Sequence, residues 1–202
     1  ASRDVRVNGW RMHQRGELWG ARSTVLPNRA HHAVTDLWRS GLMSGCITQN
    51  IDGLHQAGGL PDDPVAEGHG NVRKAHCLGR GRWWPTQTVL EWVDAGSEDP
   101  HCPSCGGLVK TTTVMFGELL PDDQVERAHE FSMAADAVLA IGTTLSVYPA
   151  ADFALSVARR GAPLVIVNLG ETDHDRRATV KVDRPAGEAL PALVSIVTGA
   201  DD

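Results

Sequence analysis

Short apolar runs alternate along this chain with segments of helical periodicity, and that alternation restricts the fold more than any other feature. Residues 44–48, 65–67, 136–142, 164–168 and 179–182 read as strands. Between them, Ala30, Ala33, Val34, Leu37 and Trp38 recur at helical spacing until Gly41, a helix stop. Residues 123–133, 150–160 and 187–197 also read as helices. Strands separated by helices of this length imply crossover connections. The expected fold class is therefore α/β, a doubly wound parallel sheet of the Rossmann-like kind.

The alternation fails once, over 71–113. This stretch holds three of the four cysteines, Trp83, Trp84 and Trp92, and several turn residues. It reads as a small inserted, zinc-ribbon-like module. The expected domains are then a Rossmann-like domain over 27–70 and 114–202, the module over 71–113, and a helical part of the small domain over 1–26. Residues 1–26 are polar, with Trp10 and Trp19 among arginines and glycines and only weak helical periodicity. A chain of 202 residues can bury one good core plus such a module.

Composition excludes several classes of function. A formal charge of −6 argues against a nucleic-acid surface and suits a basic, lysine-bearing peptide. No apolar run approaches the roughly 20 residues a membrane helix needs, and no basic start with an apolar core marks a secretory signal. Cys102 and Cys105 form a Cys-x-x-Cys, so the cysteines read as metal ligands in a reducing compartment. A cytoplasmic location is expected.

The chemistry concentrates after the strand ends, where parallel sheets bind ligands. Residues 48–55, Thr-Gln-Asn-Ile-Asp-Gly-Leu-His, put Gln49, Asn50 and Asp52 just past an apolar strand. Such a cluster either binds a small polar ligand or caps the next helix. His69 stands between two glycines, and an accessible imidazole there can act as a general base. Gly142, Thr143 and Thr144 follow another apolar run, and small residues with hydroxyls admit a nucleotide. Asn168 ends Val165-Ile166-Val167 in the same way. Cys46 reads as core.

These motifs, in this order, resemble the sirtuins, the NAD-dependent protein deacylases, from about residue 4 to residue 197. Further matches are Pro27-Asn28 with His31, Glu67-Gly68-His69-Gly70, Cys102-Pro103-Ser104-Cys105-Gly106-Gly107 and Phe116-Gly117-Glu118. The resemblance implies that an acyl-lysine carbonyl oxygen attacks the anomeric carbon of the nicotinamide ribose, nicotinamide leaves, and an alkylimidate forms. His69 then activates a ribose hydroxyl, and water completes transfer of the acyl group to ADP-ribose. Asn50 and Asp52 would line the nicotinamide pocket and Gln49 the ribose side, while Gly142, Thr143, Thr144 and Asn168 would contact the nucleotide. Val114 and Phe116 would flank the acyl-lysine.

Two departures stand out. Structural zinc takes four ligands, commonly from two Cys-x-x-Cys knuckles, and here Cys77, Cys102 and Cys105 are present but Arg80 occupies the fourth position. A histidine, His76 or His101, could complete the set; otherwise the lobe is metal-free and held by Trp83, Trp84 and Trp92. Sirtuins also carry a strand ending in Gly-Ala-Gly-x-Ser and a loop with Asp-Phe-Arg, and neither occurs in these 202 residues. Val5-Arg6-Val7 is too short and polar to replace a buried central strand. Either a segment preceding Ala1 carries it, or the sheet packs differently and the activity of these 202 residues is weakened. The alternatives to a deacylase are a non-catalytic binding module and an ADP-ribosyltransferase.

Overall fold

A computed structural model describes residues 2–115 and 117–199. In chain order it contains α1 (Arg3–Gln14), α2 (Arg29–Arg39), β1 (Cys46–Thr48), α3 (Leu54–Ala57), β2 (Val65–Glu67), β3 (Lys74–Cys77), β4 (Trp83–Pro85) and α4 (Thr86–Asp94). There follow β5 (Val109–Thr111), α5 (Asp122–Ala134), β6 (Val138–Ile141), α6 (Ala150–Arg159), β7 (Leu164–Val167), β8 (Val180–Val182) and α7 (Ala186–Thr198). The strands and helices expected from the alternation are present, with ends shifted by about two residues or fewer. Two compact units result. The smaller comprises Ala1–Leu26, Asn50–Gly53 and His69–Leu120; the larger comprises Pro27–Gln49, Leu54–Gly68 and Pro121–Asp202.

The larger unit is the α/β part. Strand β1 pairs parallel to β2, with Cys46 opposite Val65. Strands β6, β7 and β8 pair parallel in that order, with Leu139 opposite Val165 and Val165 opposite Val180. The pleat sends alternate residues of β6 to opposite faces. Leu139 and Ile141 join Val167, Cys46 and Val65 under Ala33 and Val34 of α2 and Leu190 and Val194 of α7. Val138 and Ala140 instead join Leu164 and Ile166 under Ala151 and Leu155 of α6. Helices on both faces make the arrangement doubly wound. Among the described residues the parallel strands form one sheet of two and one of three, sharing a single apolar cluster.

The helices of this unit are set by local chemistry. Asn28 caps α2, its Oδ1 accepting from the amides of Ala30 (2.9 Å) and His31 (3.3 Å), while His31 Nδ1 accepts from the Asn28 amide at 3.2 Å. This reciprocal cap gives the Pro27-Asn28…His31 motif a structural job. Helix α5 instead begins after Pro121 with Asp122 and Asp123 in its first turn, where carboxylates oppose the helix dipole.

The smaller unit is an antiparallel sheet in the order β4-β3-β5, with α1 and α4. Val7, Trp10 and His13, three residues apart, form the buried stripe of α1. Trp10 packs in a core with Ala75, Cys77, Val89, Leu90, Val93, Cys102 and Val109. This corrects the expected tryptophan set. Trp83 is 65% exposed, Trp84 and Trp92 meet edge to face at the core margin, and the buried indole is Trp10. Val5-Arg6-Val7 is helical, and the Arg6 guanidinium forms a two-point pair with Asp99 at 3.0 and 2.6 Å.

His13 is 7% exposed, its Nδ1 has no partner among the described residues, and burial pushes its pKa down. A base whose folded pKa is lowered binds fewer protons folded than unfolded, so stability falls as pH drops through its ordinary value near 6.5. The midpoint of thermal unfolding should therefore decrease between pH 7 and pH 5. In His13→Leu that part of the slope should disappear; an unchanged slope would assign it to other groups.

Candidate active site

The chain passes from the larger unit to the smaller at Gln49–Asn50, returns at Gly53–Leu54, and leaves again at Gly68–His69. Each unit therefore carries its own share of the candidate residues.

In the smaller unit, 50–53 and 69–73 are tied together. The Val72 amide donates to the Ile51 carbonyl at 2.8 Å, and Arg73 Nε donates to the Asp52 carbonyl at 2.8 Å. Arg73 is itself oriented, its amide donating to Asn71 Oδ1 at 2.7 Å. Asn50 is exposed and Asp52 half-buried. The turn bearing His69 is also stitched to the chain just past β5. The His69 carbonyl accepts from the Val114 amide at 2.9 Å. The Asn71 amide donates to Thr112 Oγ1, which donates to the Asn71 carbonyl, both at 3.0 Å. Gly70 lies between them at φ +71°, where a Cβ would sit 2.0 Å from the Thr112 carbonyl oxygen. Only glycine fits there.

His69 is half-buried, and its Nδ1 is shielded from solvent with no hydrogen-bond partner among the described residues. Buried polar atoms are normally satisfied, and exceptions concentrate where a ligand or a proton is handled. Val114, half-buried, is held by the same stitch. Beyond it, Glu118 accepts from Lys110 Nζ at 2.7 Å and from the Met115 amide at 3.0 Å, and the lysine bond holds its carboxyl below the usual range. Phe116 lies outside the described residues.

In the larger unit, Gln49 directly follows β1 and is half-buried. Ile141 pairs with Val167, so Gly142 and Asn168 stand side by side at the carboxyl ends of β6 and β7. Both ladders run on one residue: Gly142 donates to the Val167 carbonyl at 2.9 Å and Asn168 to the Val182 carbonyl at 3.1 Å. Thr143 Oγ1 accepts from the Leu145 amide at 3.1 Å, and Thr144 Oγ1 lies 2.7 Å from Ser146 Oγ. Leu145 adopts φ +55°, unusual for a side chain of its size, and is anchored by burial among Ala140, Ala151 and Leu155. Asn168 spends its amide nitrogen on the Leu169 and Gly170 carbonyls. This is the place where open parallel sheets receive nucleotides.

The cysteines converge. The sulfurs of Cys77, Cys102 and Cys105 lie within 4.8 Å of one another, Cys77 and Cys105 at 3.5 Å. The Ser104 hydroxyl, 3.1 Å from Cys102 Sγ, pulls that thiol down to about 6. Three thiols this close fit a thiophilic metal. The expected histidine does not join them. His76 follows Ala75 and precedes Cys77 on β3, so the pleat turns it to the opposite face, where it feels Lys110. His101 is exposed, with its Nδ1 2.7 Å from the Asp99 carbonyl oxygen. Cys46 stays apart, and burial pushes its thiol up to about 12.

Comparison with known proteins fits this arrangement. The Sir2 family profile matches residues 6–149. The NAD-dependent protein deacetylase 2 of Streptomyces coelicolor is 41% identical over 191 residues, which cover 95% of this chain and 78% of that protein. The chain belongs to the Sir2 family. Among solved structures of sirtuins, Sir2 bound to acetylated peptide superposes with a TM-score of 0.79 at 36% identity, covering 88% of this chain and 73% of that one. A complex of Sir2 with p53 peptide and NAD+ gives 0.78 at 37%, covering 88% and 72%.

Some residues that build this candidate site carried no signal of their own. Thr112, Asn71 and Arg73 act through hydrogen bonds spanning up to 41 positions, which no local pattern reveals. Gly70 was visible only as a glycine beside His69. Its replacement is a direct check on the stitching. Gly70→Ala should destabilise the protein by more than about 1 kcal/mol, from the left-handed backbone and the contact with the Thr112 carbonyl. Denaturant unfolding reads this, and a neutral Gly70→Ala would show that the turn is not held as described.

Proposed function

We propose that this chain is an NAD-dependent protein-lysine deacylase that transfers the acyl group to ADP-ribose with release of nicotinamide. The observation that carries this reading is His69, fixed through its backbone while its buried Nδ1 remains unpartnered among the described residues. Its relatives named NAD-dependent protein deacetylases, and the sirtuin solved with acetylated peptide, supply the substrate class: an acyl-lysine peptide or protein. The charge of −6 suits a basic segment of that kind.

NAD, as the second substrate, supplies an ADP-ribosyl electrophile and a departing nicotinamide. The chain's own residues bind and orient it and move the proton. Residues 27–70 and 114–202 hold the dinucleotide. Gly142 offers a bare backbone with open space where a Cβ would be, Thr143 and Thr144 offer hydroxyls, and Asn168 offers its amide oxygen to the adenosine ribose. Gln49 contacts the ribose on the nicotinamide side. Asn50 and Asp52 orient the carboxamide, an amide and a carboxylate matching its donor and acceptor. His69 takes the proton from a ribose hydroxyl. Val114 and Phe116 flank the acyl-lysine and keep water from it.

His69→Ala should lower deacylation of an acylated peptide by about a hundredfold or more, the usual contribution of a positioned general base. Stability should change little, since the turn is held through the His69 backbone carbonyl, which accepts from the Val114 amide and survives the substitution. Nicotinamide release, followed separately, should be affected less, because it precedes the proton transfer. Deacylation at the parental rate would remove His69 from this role. Transfer of ADP-ribose to protein without loss of the acyl group would favour an ADP-ribosyltransferase.

A further inference from the structure

The cysteine module contains the same backbone device twice. In the first copy the Cys77 amide donates to the Arg82 carbonyl at 2.7 Å, and the Gly81 amide returns to the Cys77 carbonyl at 2.9 Å. In the second, the Cys102 amide donates to the Gly107 carbonyl at 2.7 Å, and the Gly106 amide returns to the Cys102 carbonyl at 2.9 Å. The turning glycines adopt nearly the same conformation, φ +68° at Gly81 and +70° at Gly106. These are two knuckles of one geometry, each offering positions one and four of the turn to a shared centre. The second knuckle fills both with thiols, Cys102 and Cys105. The first fills position one with Cys77 and position four with Arg80, which is exposed.

Glycines also line the sulfur cluster closely. Gly107 and Gly79 lie against it: a Cβ on Gly107 would sit 3.0 Å from Cys77 Sγ and 3.3 Å from Cys105 Sγ, and one on Gly79 3.7 and 3.6 Å from them. The Gly79 amide points at Cys77 Sγ from 3.3 Å, a donor suited to a thiolate. Both knuckles are thus formed in full while the side chains supply three donors.

We propose that this module binds one zinc ion through Cys77, Cys102 and Cys105 alone, and that the fourth tetrahedral vertex, on the Arg80 side, takes an exchangeable external donor such as water or a small thiolate. Three thiolates on a divalent ion leave one net negative charge instead of the two of a four-thiolate centre. The Arg80 guanidinium offsets that charge and attracts an anionic fourth ligand. The site differs from a closed structural site, which leaves no vertex to solvent. The inference rests on the paired knuckles and is independent of the deacylase reading.

The test uses the reduced protein, stripped of metal and titrated anaerobically with zinc and with cobalt(II) as a spectroscopic probe. One metal per chain is expected, with the visible bands of tetrahedral cobalt–thiolate coordination. Added 2-mercaptoethanol or imidazole should shift those bands saturably. Arg80→Cys should still bind one metal, compete with a chelator at least about tenfold better, and no longer respond to added thiol. Cys102→Ser should lose the metal, and His76→Ala and His101→Ala should leave the spectrum unchanged. A native spectrum indifferent to added ligands, or one altered by either histidine replacement, would overturn the open vertex. A protein that takes up no metal while Arg80→Cys does, or that forms a Cys77–Cys105 disulfide in preference to binding zinc under reducing conditions, would overturn the site itself.

Discussion

Among the described residues, apolar contact rather than a hydrogen-bonded ladder unites the two parallel sheets of the larger unit. Cys46 and Val65 from one sheet and Leu139, Ile141 and Val167 from the other bury against the same stripe of α2 and α7. A parallel sheet ordinarily gains order from its continuous ladder and buries both faces. Here the second of those contributions carries the junction, and α5 covers β1 and β2 as α6 covers β6 and β7. The carboxyl-end residues Gln49, Gly142 and Asn168 therefore depend for their positions on how well Leu190, Val194, Ala33 and Val34 pack. Apolar packing is non-directional, so register within each sheet is better defined than the spacing between the sheets.

His69 depends on a different kind of constraint. Its turn is fixed by directional bonds to Thr112 and Val114, and Asn50–Gly53 is fixed by bonds from Val72 and Arg73. A proton-transferring group needs its reach set to within a few tenths of an ångström. Hydrogen bonds on the His69 carbonyl and on the Asn71 amide and carbonyl achieve that without occupying the imidazole. Gly70 makes the close approach to Thr112 possible, and so holds the turn that bears His69.

Much of this was legible in the sequence because it rests on local pattern. Periodicity alone located α2, α5, α6, α7 and the parallel strands, since each buries one face or a continuous run. The motif after β1 and the glycine-flanked His69 marked the candidate site through residue type and position. What escaped depended on distant partners. Helix α1 was only weakly periodic because its buried stripe is three residues, Val7, Trp10 and His13, set among arginines that pair with Asp99 and Glu98. Trp83, Trp84 and Trp92 could not be ranked by burial from sequence, and the exposed one and the buried Trp10 differ only in their tertiary partners. Of the histidines beside Cys77 and Cys102, His76 is turned to the other face by the alternation along β3, and His101 is exposed with its Nδ1 at the Asp99 carbonyl oxygen.

The two units should also answer differently to acid. The smaller one carries His13, whose pKa burial pushes down, and several carboxylates held low: Glu17 by Arg15, Glu118 by Lys110, Asp99 by Arg6, and Asp94, drawn down to about 2 by bonds from Arg22 and then Gln14. Lowered pKa values of both kinds act in one direction. The histidine's contribution is lost as pH falls through about 6.5. The carboxylates' contribution is present above their ordinary values near 4 and is lost as pH falls toward 2. In the larger unit Cys46, pushed up to about 12, stays protonated throughout this range, and Asp175, held low by Thr172 and Lys181, contributes only in the carboxylate range below about 4. Acidification should then open the unit bearing His69, Asn50 and Asp52 before the parallel sheets. Hydrogen exchange followed from pH 7 to pH 4, corrected for the intrinsic rate, should show protection lost first around 69–77 and 109–114 and retained longer in β6 and β7. Simultaneous loss in both would mean that the two units unfold as one, and that charge in the smaller is felt across the whole chain.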